Sequence, residues 1–244
     1  QWRGFQMKLA ALASCEYDEV ILSDADVLWL SDPASLVSAA RKSSADLVVC
    51  SDFWHFDCKH HNRTAMTKWL YEKNGIAVDG YEVDSGVLFA KLSAPGFARG
   101  LRYVAMQHSY YFALTYGDNE LYKLVASLCG ARVVQLALPK LLCFEREGKF
   151  VGHSMLHAYD GVTMSHMHCT LHPVDDSETY RVPTHVAPGE HVKFMISDSV
   201  QTVGVETADE IPPSCASKIV MLSARVSAVE AVSELWGDGV KRHT

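Results

Sequence analysis

The chain contains no uninterrupted apolar run approaching the ~18 residues that a membrane-spanning helix needs. No signal-peptide pattern opens it, and its start at Gln1 rather than Met reads as a fragment or a processed product. Positive charge is in short supply: 22 Lys and Arg face 29 Asp and Glu, a net charge of -7. A nucleic-acid footprint demands a basic face, so that class of partner is excluded. The seven cysteines (Cys15, Cys50, Cys58, Cys129, Cys143, Cys169 and Cys215) are odd in number and include no CxxC spacing. That rules against a zinc ribbon or a thioredoxin-type motif. Cys50 and Cys58 could close one disulfide in an oxidising compartment, or be buried as plain hydrophobes. Internal repeats and low-complexity tracts are absent too.

What is present is an ordinary globular composition, 48% hydrophobic and 21% charged, over 244 residues. That is enough chain for one substantial core, or one core with a tail. The most informative stretch runs from Glu19 to Leu30. Val20-Ile21-Leu22 reads as a buried strand that ends in two carboxylates one residue apart, Asp24 and Asp26. Carboxylates at the end of an apolar strand are costly to bury unless something neutralises them. A divalent cation does so, and keeps open positions for substrate phosphates. Asp24-Ala25-Asp26 is therefore read as a metal-diphosphate site, beside the plainer reading of an ordinary polar loop.

Around that stretch the elements alternate. Gln6 to Ser14 has the spacing of a helix. Asp32-Pro33 starts a short helix running to Ala40, with Asp32 as N-cap and Pro33 in its first position. Asp46 to Ser51 is a second strand, so strand, helix and strand suggest a βαβ unit with parallel pairing. A helix is expected from Thr64 to Glu72, and His60-His61 before it reads as a solvated loop. Asn62-Arg63-Thr64 is an N-glycosylation sequon, a nudge toward the secretory pathway. Val83 to Ala90 is a strand whose Ser85-Gly86 lets backbone approach a ligand, or marks a plain bulge.

Phe97 to Leu114 reads as one long helix with the Tyr110-Tyr111-Phe112 stripe in its core. Asp118 precedes a helix from Leu121 to Leu128, where the plain reading is an N-cap, and Gly130 closes that helix. A strand from Arg132 to Leu138 stops at Pro139. Farther on, Asp160-Gly161 marks a tight turn. Five histidines lie between positions 153 and 172: His153, His157, His166, His168 and His172. In a strand His166 and His168 face the same side, and imidazole beside carboxylates suits Mn²⁺. The cluster could equally be a zinc site of its own, or lie exposed to solvent. Toward the end, a strand is expected at His191 to Ile196 and a helix at Ser217 to Trp236.

Several of these landmarks fall in one order. Lys8-Leu9-Ala10-Ala11-Leu12 precedes the Asp24-Ala25-Asp26 strand and Ser31-Asp32-Pro33. Glu82-Val83-Asp84-Ser85-Gly86 follows, then Tyr116-Gly117-Asp118-Asn119-Glu120 and Asp160-Gly161 before a His-bearing strand. Over roughly residues 6 to 170 this resembles the Golgi α-mannosyltransferases of the fungal α-1,3/α-1,2 type (glycosyltransferase family 71), relatives of the glycogenin-like glycosyltransferases.

The resemblance implies an α/β GT-A fold, a mixed, mostly parallel sheet flanked by helices. Residues 1–172 would form the catalytic core and 173–244 a C-terminal extension. It implies Mn²⁺ or another divalent cation held by Asp24, Asp26 and His166, and a nucleotide-sugar donor, GDP-mannose ahead of UDP-sugars. Ala25, Ser85 and Gly86 would line the donor site, and Lys8 would lie close to the nucleotide. Asp84, where the family has Glu, would contact the sugar, and Asp118 would orient the acceptor beside Asn119. Asn119 and Glu120 depart from the family's Gly-Asp-Lys-Asp corner, which leaves donor identity open.

The expected reaction is hexose transfer, mannose first, to a glycan or glycoprotein acceptor with retention. The expected location is the Golgi lumen, as the soluble part of a type II membrane protein. Only 23 residues precede Asp24, where GT-A enzymes carry several tens, so the resemblance implies a missing N-terminal part with the membrane anchor. Two other readings stand beside the transferase. One is a metal-dependent hydrolase with His153, His157 or His168 beside the carboxylates. The other is an inactive sugar-binding or partner-binding domain.

Overall fold

In the computed structural model, the structure describes residues 5–57, 62–115, 117–146, 148–159, 164–168, 184–197 and 200–211. The chain forms two compact units. The first comprises residues 1–139 and 156–168, the second residues 140–155 and 169–244.

The first unit is built on a four-stranded sheet. Its strands are β1 (Glu19–Ser23), β3 (Leu47–His55), β4 (Tyr81–Lys91) and β5 (Val133–Gln135), hydrogen-bonded in the order β1-β4-β3-β5. β3 and β5 pair in parallel, while β4 runs antiparallel between β1 and β3. The mixed α/β sheet flanked by helices is therefore as expected, but it is not mostly parallel: among the described residues only the β3–β5 pairing is parallel, and the expected βαβ pairing is absent. β1 and β3 point the same way without touching, because the long apolar strand β4 supplies hydrogen bonds to both. β1 is consequently an edge strand, half-buried rather than buried.

The continuous apolar runs in β3 and β4 have a simple cause: both faces of the sheet are covered. Leu47 and Val49 with Leu88 and Ala90 point to one core. Val48 and Cys50 with Val87 and Phe89 point to the other, as a period of two requires. The first core is filled by α1 (Gln6–Ala13), α4 (Phe97–Met106) and α6 (Leu121–Leu128) through Leu9, Leu12, Phe97, Leu101, Leu121 and Leu124. The second is filled by α2 (Ala34–Lys42) through Leu36 and Ala40. The Asp32 carboxylate accepts the Ala34 N–H at 2.9 Å, which starts α2 where expected. Gly130, at φ +70°, follows α6 in the left-handed conformation that closes it.

The expected long helix from Phe97 divides at Gln107 into α4 and a single turn, α5 (His108–Tyr111). Tyr110 is exposed, while Tyr111 and Phe112 pack against the first core. α3 (Asn62–Lys73) lies where a helix was expected. A short antiparallel pair completes the unit: β2 (Val27–Trp29) and β8 (Met164–His168), in the register Val27↔His168 and Trp29↔His166. β8 also pairs with β7 (Lys149–Ala158), whose last residues belong to this unit.

In the second unit β6 (Lys140–Arg146) and β7 are neighbours, joined by a turn through Gly148 at φ +74°. β9 (His185–Ala187), β10 (Lys193–Ser197), β11 (Val200–Val205) and β12 (Asp209–Glu210) extend the strand order to β10-β11-β7-β6-β9-β12. Among the described residues no helix is long and apolar enough to cross a membrane. Cys58, His60-His61, Tyr116, Asp160-Gly161, His172 and the expected helix at Ser217 to Trp236 lie outside the described residues.

Candidate active site

β1 ends at Ser23, and the chain turns through Asp24, Ala25 and Asp26 into β2. The Asp24 N–H donates to the Gly86 carbonyl at 2.8 Å, fastening the turn to β4. Val27 N–H closes it on the Asp24 carbonyl at 3.3 Å. The apolar strand is needed to place this turn, while Ala25 and Asp26 stay exposed.

Two basic side chains reach the acidic pair, one at each carboxylate. Lys8, from α1, places its Nζ 3.0 Å from both Asp24 carboxylate oxygens, 3.3 Å from Ser85 Oγ and 3.1 Å from Asp118 Oδ2. Burial works against its charge, but the Asp118 and Asp24 carboxylates raise its pKa above the ordinary lysine value. His168, from β8, places Nε2 3.4 Å from Asp26 Oδ1 and Nδ1 2.8 Å from Asp84 Oδ1. Burial opposes its charge as well, yet the Asp84 charge and the contacts with Asp26 push it up to about 10. The hydrogen bond from His168 in turn holds Asp26 below the usual carboxylate range.

Asp24, Asp26 and His168 each offer one ligand atom, all within 4.8 Å of one another. His166, the third ligand expected from the sequence, is not among them. The register decides this: His168 stands opposite Val27, next to Asp26, whereas His166 stands opposite Trp29. Two residues along a strand shift a side chain by roughly 6.6 Å, which takes His166 out of reach of the two carboxylates. His166 instead lies with Cys50 and His157, stacked on His157 and beside Trp29. Burial, with His157 alongside, lowers its pKa to about 2, so it is neutral.

Asp84 was expected to contact the sugar. It is 3% exposed, and its oxygens are taken by His157 Nε2 at 3.0 Å, His168 Nδ1 and the Gly86 N–H at 2.9 Å. Burial alone would raise it, but the His168 charge and the two histidine hydrogen bonds hold it well below the usual carboxylate range. It faces the imidazoles and fixes the His168 ring. Asp118 is also fully buried, its Oδ2 shared by Lys8 and by the Tyr122 hydroxyl at 2.6 Å. It does not cap α6. Among the described residues its Oδ1 has no hydrogen-bond partner, and burial outweighs Lys8 to raise its pKa.

Asn119, half-buried, accepts the Ser85 hydroxyl at 2.7 Å, so Lys8, Ser85 and Asn119 form one polar chain. Glu120, expected only as a departure from a motif, pins this corner: it accepts the Tyr71 hydroxyl at 2.6 Å and the Val83 N–H. Gly86 is the close approach its sequence suggested, and the group packed against it is the His168 ring.

The donor chemistry fits a hard divalent cation: two carboxylates at a solvent-facing turn and one imidazole whose far nitrogen is held by a carboxylate. Sequence patterns missed Tyr122 and Tyr71, because nothing local marks which tyrosine reaches a buried carboxylate.

A sequence model of the nucleotide-diphospho-sugar transferases matches residues 8–175. No curated protein sequence matches the chain. The matched span contains Lys8, the Asp24–Asp26 turn, Asp84, Asp118 and His168.

Proposed function

The chain belongs to the nucleotide-diphospho-sugar transferase family, and on that premise we propose a metal-dependent glycosyltransferase that moves a hexose from a nucleotide-sugar to a glycan or glycoprotein acceptor. The observation that carries this reading is the convergence of Asp24, Asp26 and His168 on one exposed turn. Mn²⁺ held there would neutralise charge on the departing nucleoside diphosphate as a Lewis acid.

The chain's own groups prepare that site. Asp84 accepts from His168 Nδ1, which points Nε2 at the turn and fixes the tautomer. Lys8 keeps Asp24 and Asp118 at contact distance and presents an ammonium beside the turn, where a diphosphate would add negative charge. Ser85 and Asn119 continue this polar edge toward the side where the sugar and the acceptor hydroxyl would lie.

Retention has two routes. A double displacement needs a free carboxylate nucleophile. Asp84 has its oxygens engaged, and Asp118 is buried in contact with Lys8 and Tyr122. Their burial supports a front-face route, which asks only for a stabilised leaving group and a held acceptor hydroxyl. Mannose as the sugar, GDP as the nucleotide and the Golgi lumen as the place, with a membrane anchor ahead of Gln1, rest on the resemblance.

His168 beside the carboxylates also meets the requirement of the hydrolase reading, and the two are separated by experiment. A nucleotide-sugar screen with Mn²⁺ should give transfer, with GDP-mannose the best donor and GDP raising the melting temperature only when Mn²⁺ is present. Hydrolysis supported by Zn²⁺ alone would establish the hydrolase instead. No response to any nucleotide, with Asp26→Ala behaving as wild type, would leave a binding domain.

A further inference from the structure

A second set of donor atoms lies in the first unit, apart from the carboxylate turn. Cys50 from β3, His157 from the end of β7 and His166 from β8 each offer one ligand atom within 4.8 Å of the others. None is more than 1% exposed. Cys50 Sγ stands 3.8 Å from His166 Nε2. The two imidazole rings stack with centroids 4.7 Å apart and planes 15° from parallel. Cys50 is a free thiol, not half of a disulfide.

The hydrogen bonding leaves one nitrogen of each histidine uncommitted to a strong partner. His157 Nε2 donates to Asp84, which leaves Nδ1 as the free ring nitrogen, and Nδ1 is buried with no hydrogen-bond partner among the described residues. A bare acceptor in a protein interior costs the full desolvation of that atom, and its presence asks for an explanation. On His166 it is Nδ1 that meets Ser165 Oγ at 3.1 Å and the Tyr159 hydroxyl at 3.4 Å, which leaves Nε2 toward sulfur.

We propose that Cys50, His157 and His166 form a second, buried metal site that takes a thiophilic cation, Zn²⁺, independently of the carboxylate turn. Thiolate and imidazole donors select zinc-type ions, whereas Mn²⁺ prefers oxygen. Zinc imposes no geometry of its own, which suits ligands fixed by three separate strands. Donors in a tetrahedral zinc centre sit roughly 3.3–3.8 Å apart; Cys50 Sγ and His166 Nε2 already stand 3.8 Å apart, and loading tilts the stacked imidazoles so that both lone pairs meet at the ion. As the S–Zn bond forms, the Cys50 S–H proton leaves to solvent and the two imidazoles contribute lone pairs. Asp84 then serves both centres, orienting His157 through Nε2 and His168 through Nδ1.

Co²⁺ replaces zinc and reports its ligands. The reduced chain, titrated with Co²⁺ in excess Mn²⁺, should bind one equivalent with a thiolate-to-cobalt charge-transfer band. A folded wild-type chain without that band overturns the proposal. Cys50→Ser and His166→Ala, each verified as folded by circular dichroism, should lose the band and bind Co²⁺ at least tenfold more weakly. Asp26→Ala should keep the band. A wild-type band in folded Cys50→Ser assigns the thiolate elsewhere and overturns the proposal. Should those variants not fold, X-ray absorption of the zinc-loaded wild type decides, with one sulfur and two imidazoles expected. A shell of oxygens alone overturns it.

Discussion

The ring of His168 occupies the space that a side chain at position 86 would fill: a Cβ on Gly86 would collide with His168 Nδ1. Glycine here is a packing requirement rather than a conformational one. Gly86→Ala should swing the imidazole off Asp84 and away from Asp26, destabilising the fold by about 1–3 kcal/mol. Mn²⁺ affinity should fall at least tenfold by calorimetry. Wild-type Mn²⁺ affinity in this variant would separate His168 from the cation.

The two neighbouring histidines should behave differently. His168→Ala, Asp24→Ala and Asp26→Ala are expected to abolish Mn²⁺-dependent transfer while the fold survives. His166→Ala should leave Mn²⁺ affinity close to wild type, because His166 lies with Cys50 and not with the carboxylates. Asp84→Asn, which weakens the hold on His168, should cost about 10–100-fold in Mn²⁺ affinity. Retained transfer in both aspartate variants would sink the assignment.

His168 holds its proton up to about pH 10, and an imidazole must be free of a proton where it binds metal. Loading Mn²⁺ therefore expels one proton. Apparent Mn²⁺ affinity should climb with pH by up to about tenfold per unit below pH 10. Calorimetry in buffers of different ionisation enthalpy should count close to one proton released, and none in His168→Ala.

Lys8 is the counter-charge to fully buried Asp118 and to Asp24. Breaking such a pair on one side leaves uncompensated carboxylates, so Lys8→Met should cost about 2–4 kcal/mol in denaturant titrations. Mn²⁺ would restore the charge balance at Asp24. The rise in melting temperature on adding Mn²⁺ should thus be larger in Lys8→Met than in wild type, and an equal rise would argue against a shared carboxylate.

Glu82 gives a pH dependence free of metal. Burial, with the Glu120 and Asp52 carboxylates adding, pushes it from 4.5 up to about 8. The folded state thus favours the protonated acid more than the unfolded chain does. The stability this gives is fully present below about pH 4.5 and is lost as pH rises through about 8. Glu82→Gln, neutral at every pH, should melt like wild type at pH 4.5 and be more stable by on the order of 2–4 kcal/mol at pH 9. Equal melting at pH 9 would show that Glu82 ionises without penalty.

Much of the fold was legible because it depends on local chemistry. α1, α2, α3 and α6, and the strand leading into Asp24, follow from helical spacing, a capping aspartate and β-branched runs. The division of the 97–114 helix at Gln107 carries no comparable local signal. Neither does the insertion of β4 between β1 and β3, since strand neighbours are selected by long-range hydrogen bonding. Grouping residues 140–155 with the C-terminal residues is likewise a matter of contacts distant in sequence.

The same division runs through the site. The sequence by itself determined that two carboxylates end an apolar strand, with a lysine before them and a histidine-bearing strand after, because hydrophobic pattern and residue type are local properties. Which histidine meets the carboxylates was decided only by the tertiary structure. The β2–β8 register sets Val27 opposite His168, and sliding that register by two residues would exchange the roles of His166 and His168. Tertiary structure likewise buried Asp84, turning an expected sugar contact into the support of two imidazoles. In the interior a carboxylate keeps its charge only where such partners hold it, and those partners come from two strands, β7 and β8, some seventy to eighty residues away.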